Sequence, residues 1–227
     1  MIEYDPSFPM TAVRFFRDLS RNNNKPWMDA NRERYRAEVV ELFRATLDRL
    51  TPAARRLNPR FVITGRVSDN FSRINRDIRF ARDKTPYRPQ MYLFLAEPGE
   101  DVGQLYIGVS ADAVTCGFRI YGAGRTAPLV QFGRARARDN RKWLVRQKNR
   151  LQRQFESYWY STEKGEWTKN KGWPVEPDEW KKLKAWIVRR KFSPAAASRD
   201  GFEDEAVAAF KQVHPLMQFS CSPLWKR

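Results

Sequence analysis

Gln104-Leu105-Tyr106-Ile107-Gly108-Val109-Ser110-Ala111 and Ala113-Val114-Thr115-Cys116-Gly117-Phe118-Arg119-Ile120-Tyr121 stand on either side of a single Asp112. Both segments are rich in apolar and aromatic residues, and Leu105, Ile107 and Val109 fall on one face of an extended chain. The Ala-Asp step between them predicts a tight turn, hence an antiparallel pair. Upstream, Gln90-Met91-Tyr92-Leu93-Phe94-Leu95 reads as a further strand, ended by Glu97-Pro98-Gly99-Glu100-Asp101. Phe61-Val62-Ile63-Thr64-Gly65 reads as another. An antiparallel meander in the middle of the chain is the expectation.

The flanks change period. Residues 9–21 predict a helix, with Val13, Phe16 and Leu19 near helical spacing, and Asn22-Asn23-Asn24-Lys25-Pro26 breaks it. Asp29 is the expected cap of a longer helix to about Leu50, whose apolar positions repeat every three or four residues, with Thr51-Pro52 at its end. Beyond Gly122-Ala123-Gly124 a helix is expected over Arg138 to about Glu156, with Trp143, Leu144, Leu151 and Phe155 on one side. Trp167 to Trp173 reads as a small hairpin. Pro177 opens a helix through Arg189, and Asp204 opens a last one through Val213. The fold class is therefore α+β: an antiparallel sheet in the middle of the chain, packed by N-terminal and C-terminal helices. One domain over residues 1–227 is expected, with a basic, Trp-rich helical and hairpin elaboration at about 125–175.

Composition narrows the function classes. No apolar run is long enough to cross a bilayer, and Met1 to Pro6 lacks the basic flank of a signal peptide, so no membrane partner is expected. Cys116 and Cys221 are the only cysteines, too few for a disulfide framework, and a cytoplasmic location with reduced thiols is the expectation. His214 is the only histidine, which excludes multi-histidine metal sites and weakens a nucleophile–histidine scheme. No nucleotide fingerprint or P-loop is present. No cofactor and no metal are expected.

The net charge is +17, and it is not spread evenly. Residues 55–88 carry ten basic and three acidic side chains, and residues 134–153 carry nine basic and one acidic, so two segments supply 15 of the 17 excess charges. Arginine outnumbers lysine 30 to 13. A bias toward arginine across the whole chain does not explain the clustering, which points to an anionic partner. Arginine also offers a planar fork of donors that matches phosphate or carboxylate.

The first basic segment contains the densest pattern. Ile74, Ile78 and Phe80 are expected to point to the core, and Asp83-Lys84-Thr85-Pro86 to turn the chain. Arg73-Ile74-x-Arg76-Asp77-x-Arg79-Phe80-x-x-Asp83-Lys84-Thr85-Pro86-Tyr87-Arg88 resembles the signature of the family called "domain of unknown function 2461". Phe15-Phe16-x-x-Leu19, Asn23-Asn24-x-x-Trp27, Tyr35, Phe210 and Pro215-Leu216 are similar to its opening and close. The resemblance highlights the motif and supplies no reaction. Three readings of it stand: Asp77 and Asp83 tie the chain together through arginine pairs; Arg73, Arg76, Arg79, Lys84 and Arg88 hold a phosphate; or Asp77 or Asp83 acts as acid, base or metal ligand while the arginines hold an anionic small substrate, although two carboxylates six residues apart are not a metal motif. Whether the protein is an enzyme is left open.

The second segment is Arg134, Arg136, Arg138, Arg141, Lys142, Arg146, Lys148, Arg150 and Arg153. Nine cations against one anion repel one another unless a polyanion lies nearby. Six of the eight tryptophans fall between 143 and 186; such residues can stack bases, but core packing accounts for most of them. Binding of nucleic acid, RNA or DNA, or of another polyanion is the leading expectation. About six phosphate contacts then predict a log–log salt slope near −5. An acidic protein partner is the alternative, tested by charge reversal at Arg141, Arg146 and Arg150.

Overall fold

The computed structural model of the chain describes residues 9–98, 103–121, 128–222 and 225. Part of the turn expected at 97–101 and the whole of Gly122-Ala123-Gly124 lie outside them. Six strands form one antiparallel sheet, β1 (Gln90–Leu95), β2 (Gly103–Ser110), β3 (Val114–Tyr121), β4 (Glu156–Glu163), β5 (Glu166–Lys171) and β6 (Ala185–Phe192), in the order β1-β2-β3-β6-β4-β5. Helices precede and follow it in sequence, as the α+β reading expects. Among the described residues no helix is long and apolar enough to cross a membrane.

The chain divides into two compact units. The first comprises residues 1–95, 107–115 and 191–207. Helix α1 (Met10–Arg21) buries Val13, Phe15, Phe16 and Leu19. Asn24, not Asp29, caps the next helix: its side chain accepts from the Trp27 N–H at 2.9 Å, with Pro26 in the first turn of α2 (Lys25–Ala30). The long helix expected from Asp29 is broken into α2, α3 (Arg32–Tyr35), a π-helical turn over Arg36–Glu41, and α4 (Leu42–Leu57). Pro52 lies inside α4 rather than ending it. Phe15 meets Trp27 and Tyr35 at 5.7 and 5.6 Å between ring centroids. The short helix α8 (Pro194–Ala197) starts at Ser193, whose hydroxyl accepts from the Ala196 N–H.

Residues 61–65 are not a strand. Their main chain is held instead by one buried side chain, Asn70. Its Oδ1 accepts from the Thr64 and Gly65 N–H groups at 2.9 and 3.0 Å. Its Nδ2 donates to the Val62 and Phe94 carbonyls at 2.8 and 3.0 Å. One carboxamide thus satisfies main-chain groups that a ladder would otherwise serve.

The second unit comprises residues 96–106, 116–190 and 208–227. The helix expected over Arg138–Glu156 is two helices, α5 (Pro128–Ala137) and α6 (Arg141–Leu151). The hairpin is larger than Trp167–Trp173: β4 and β5 are joined by Lys164-Gly165, both at positive φ (51° and 84°), as a two-residue turn with matching twist requires. Helix α7 (Pro177–Lys182) opens on a capping box between Glu176 and Glu179. It ends six residues later, and the continuous run Ala185-Trp186-Ile187-Val188 is strand β6, not helix. β6 pairs with β4 through Trp159↔Trp186. Gly117 admits the Val188 carbonyl so closely that a Cβ there would sit 2.0 Å from it. Helix α9 (Phe202–Cys221) runs well past the expected Val213, through Pro215. The core of this unit is aromatic. Trp186 meets Phe118 and Trp180 edge-on at 5.1 and 5.5 Å, Trp180 meets Phe219 at 5.5 Å, and Phe219 stacks on Trp143 at 5.0 Å. Most of the clustered tryptophans are accordingly packing residues.

Candidate nucleic-acid interface

The motif between 73 and 88 lies in the first unit as a non-ladder segment that folds back on itself. Asn75 and Tyr87 form an isolated antiparallel bridge, and the Arg76 and Arg88 N–H groups donate to the Pro86 and Ile74 carbonyls at 2.9 and 2.8 Å. The Asn23 carboxamide clamps Tyr87 from outside, accepting from its N–H at 3.1 Å and donating to its carbonyl at 2.9 Å. That pairs two residues quoted for the family likeness, Asn23 and Tyr87, through the main chain.

Within the loop the charges are largely committed to one another. The Arg76 guanidinium donates to the Asp83 carboxylate and to the Thr85 hydroxyl. Asp83 also accepts from the Thr85 N–H at 2.9 Å. Arg79 engages Asp77 with Nε at 3.0 Å and Nη2 at 2.7 Å. Lys84 donates to the Ile78 carbonyl at 3.0 Å, which closes the turn. Arg73 reaches the Ser68 hydroxyl at 3.3 Å and Arg88 the Arg73 carbonyl at 3.4 Å, both from exposed positions. Main-chain donation from Thr85 together with Arg76 pushes the Asp83 carboxyl down to about 2, and Arg79 lowers that of Asp77. Both stay ionised at neutral pH, the opposite of what a proton donor needs. Ile74 is buried, but Phe80 is 95% exposed. The expected alternation fails there because residues 79–83 turn rather than extend. This arrangement braces a loop.

The nine cations between 134 and 153 all lie in the second unit, and they separate into two groups. Three are used as donors to main-chain carbonyls. Arg134 donates to Trp180 and Leu183 at the end of α7, at 2.9 and 3.1 Å. Arg136 donates to Phe219 and Ser222 at the end of α9, at 3.0 and 2.8 Å. Its guanidinium also lies over Phe132 and Trp225, and burial lowers its pKa. Arg150 donates to the Gln212 carbonyl at 2.8 Å and to Gln147. Arg134 and Arg136 thus cap helix ends, where carbonyls lack partners and the dipole favours a cation, whereas Arg150 reaches a carbonyl in the middle of α9. Arg141 adds an ion pair with Glu176, Nε to Oε2 at 2.8 Å.

The family model described as "Conserved hypothetical protein (DUF2461)" matches residues 11–219. The chain belongs to this family. A comparison with curated proteins finds no match. In the DUF2461 chain the matched span contains both basic segments.

The second group of cations is different. Lys142, Arg146 and Arg153 are exposed, Lys148 is half-buried, and none of the four side chains makes a hydrogen bond or ion pair among the described residues. At about 100° per residue, Lys142, Arg146 and Asn149 share one side of α6, and Arg153 continues the spacing just past its end. The buried Leu144 and Leu151 occupy the opposite side. Nearby, an open cleft of about 550 Å³ is lined by Arg134, Arg138, Lys181, Asp139 and Asp178. Lys181 bonds Asp178 at 2.7 Å and is the main group lowering its carboxyl, with Lys182 and Arg138 adding to it. Apart from Arg138 at the cleft, the side of α6 is where the second segment leaves charge for a ligand.

Proposed function

We propose that this protein binds nucleic acid, using the exposed side of α6 to contact phosphates. The observation that supports the reading is the row Lys142, Arg146 and Arg153, which has no acidic neighbour bonded to it among the described residues and lies opposite the apolar side that buries Leu144 and Leu151. Cations so placed repel one another, and a polyanion relieves that repulsion while releasing its counterions. Arg134, Arg136, Arg141 and Arg150 have intramolecular work and contribute less. The number of phosphate contacts expected at this site is therefore about three rather than six.

The test is binding of the purified, nuclease-treated protein to labelled RNA and DNA, with and without Lys142→Glu and Arg146→Glu together. The pair of reversals is expected to weaken binding to every sequence at least tenfold. Absence of salt-dependent binding to any RNA or DNA refutes the proposal. If an acidic protein is retained instead, and the same reversals release it, the helix is a protein-docking face.

A further inference from the structure

The register of the second unit's strands places aromatic and basic side chains on one sheet face that the phosphate-contact reading leaves unused. Tyr158 pairs with Lys171, Tyr160 with Lys169, and Thr162 with Trp167 across β4–β5. Glu156 pairs with Arg189 across β4–β6. Directly paired residues project to the same side of a sheet, and neighbours along a strand to opposite sides. Trp159 and Trp186 are paired and buried, so their side is the core. Tyr158, Tyr160, Trp167, Lys169, Lys171 and Arg189 project the other way, as do Ala185 and Ile187 of β6, which are buried, so the open part of this side lies over β4 and β5. Phe118 touches Trp186 and belongs to the core side, which puts Arg119 and Tyr121 of β3 on the outer face as well.

We infer that this outer face stacks the bases of a single-stranded nucleic acid. The inference rests on the proposal that the protein binds nucleic acid, and it adds which kind and where. Trp167 is 51% exposed and Tyr121 42%, unusual for large aromatics in a protein that buries most of its others. Tyr160 stands edge-on to Tyr158 and to Trp167, at 6.0 and 5.8 Å, so these rings are held in place by one another. Lys169 lies 4.1 Å from the Tyr158 ring centroid, Arg189 5.2 Å from it, and Arg119 5.5 Å from the Tyr121 centroid. On this face four cations, Arg119, Lys169, Lys171 and Arg189, accompany one carboxylate, Glu156, which is paired with Arg189 at 3.0 Å. Rings supply stacking surfaces and the cations neutralise the adjoining phosphates, and this combination suits unpaired bases rather than a duplex, whose bases are already stacked.

The experiment measures affinity for three probes of equal length: a labelled oligouridine, its abasic counterpart, and a duplex. Wild-type protein is expected to prefer the base-bearing strand to the abasic one by about 5- to 150-fold, the range for stacking one base. Trp167→Ala should remove most of that preference while leaving abasic binding unchanged, and Tyr160→Ala should act in the same direction. Comparing probes on the wild-type protein needs no variant, so a variant that folds poorly does not decide the matter. Equal wild-type affinity for base-bearing and abasic strands overturns the inference, as does preference for the duplex. If Trp167→Ala changes nothing while the α6 reversals abolish binding to all three probes, the phosphate-contact proposal stands and the stacking inference falls. Failure of wild-type protein to bind any probe refutes both. An unaltered affinity for every probe in both Trp167→Ala and Tyr160→Ala leaves the face as a solvated, lysine-protected sheet edge, and the inference is then wrong.

Discussion

Replacing Asn70 with alanine removes one buried carboxamide and four hydrogen bonds at once. Two are to main-chain N–H groups, Thr64 and Gly65, and two to main-chain carbonyls, Val62 and Phe94, all between 2.8 and 3.0 Å. Each such bond contributes roughly 1 kcal/mol net, so the variant should lose about 4 kcal/mol. For a chain of this size about 1 kcal/mol moves the melting midpoint by roughly 2–4 °C, so the midpoint should fall by roughly 8–16 °C. A control separates hydrogen bonding from lost volume. Asn70→Asp keeps an acceptor for Thr64 and Gly65 but turns an anion toward two carbonyl oxygens. At neutral pH it should be at least as destabilising as alanine. Acidification should restore part of the loss, because a protonated carboxyl can donate one bond; its folded-state pKa is raised, so stability declines as pH rises through it. Thermal melts followed by circular dichroism across pH 4–8 read both effects. A fall of less than about 3 °C for Asn70→Ala refutes the reasoning, since it means that residues 61–65 do not depend on this side chain.

Arg136→Ala should cost about 2 kcal/mol, a midpoint lower by roughly 4–8 °C, because it uncovers the carbonyls at the end of α9. Arg146→Ala should change stability by less than about 0.5 kcal/mol yet weaken polyanion binding; the reverse pattern in paired melts and binding curves would show the two groups of cations to be misassigned. Burial, only partly opposed by Glu97, pushes the His214 pKa down to about 4 from 6.5. The unfolded chain therefore takes up a proton before the folded one, and about 3 kcal/mol of stability should disappear as pH falls from about 6.5 to 4. His214→Gln should flatten that part of the urea-midpoint profile, and an unchanged slope counts against the assignment.

Much of the fold is legible in the sequence wherever a local pattern decides it. Val13, Phe16 and Leu19 mark α1 by spacing, and the β1–β3 segments show as apolar runs bounded by turn residues. β6 is not read correctly because Pro177-Asp178-Glu179 starts a real helix that ends after only six residues. The following Trp186-Ile187-Val188 run fits strand or helix equally by period, and its partners β3 and β4 are distant in sequence. Asn70 leaves no periodic trace, since a single buried carboxamide does its bonding through main chain that could belong to any residue type. The same limit applies to the cations. Arg136 and Arg146 look alike in a charge count, and only the approach of α9's carbonyls distinguishes them. Phe80 reads as a core residue because an extended chain would place it with Ile74, and the turn at 79–83 removes that parity. Trp167 is hidden among tryptophans that do pack inward, and the β4–β5 register alone singles it out.

The central claim is that the exposed side of α6 holds a polyanion through about three phosphate contacts. Affinity for a labelled single strand, measured as a function of salt concentration, tests it most directly. Three contacts predict a log–log slope of roughly −2. The double reversal Lys142→Glu and Arg146→Glu should bind more weakly, with a slope shallower by at least about 1.4, the share of two contacts. Affinity that does not change with salt, or a double variant indistinguishable from wild type, contradicts the account.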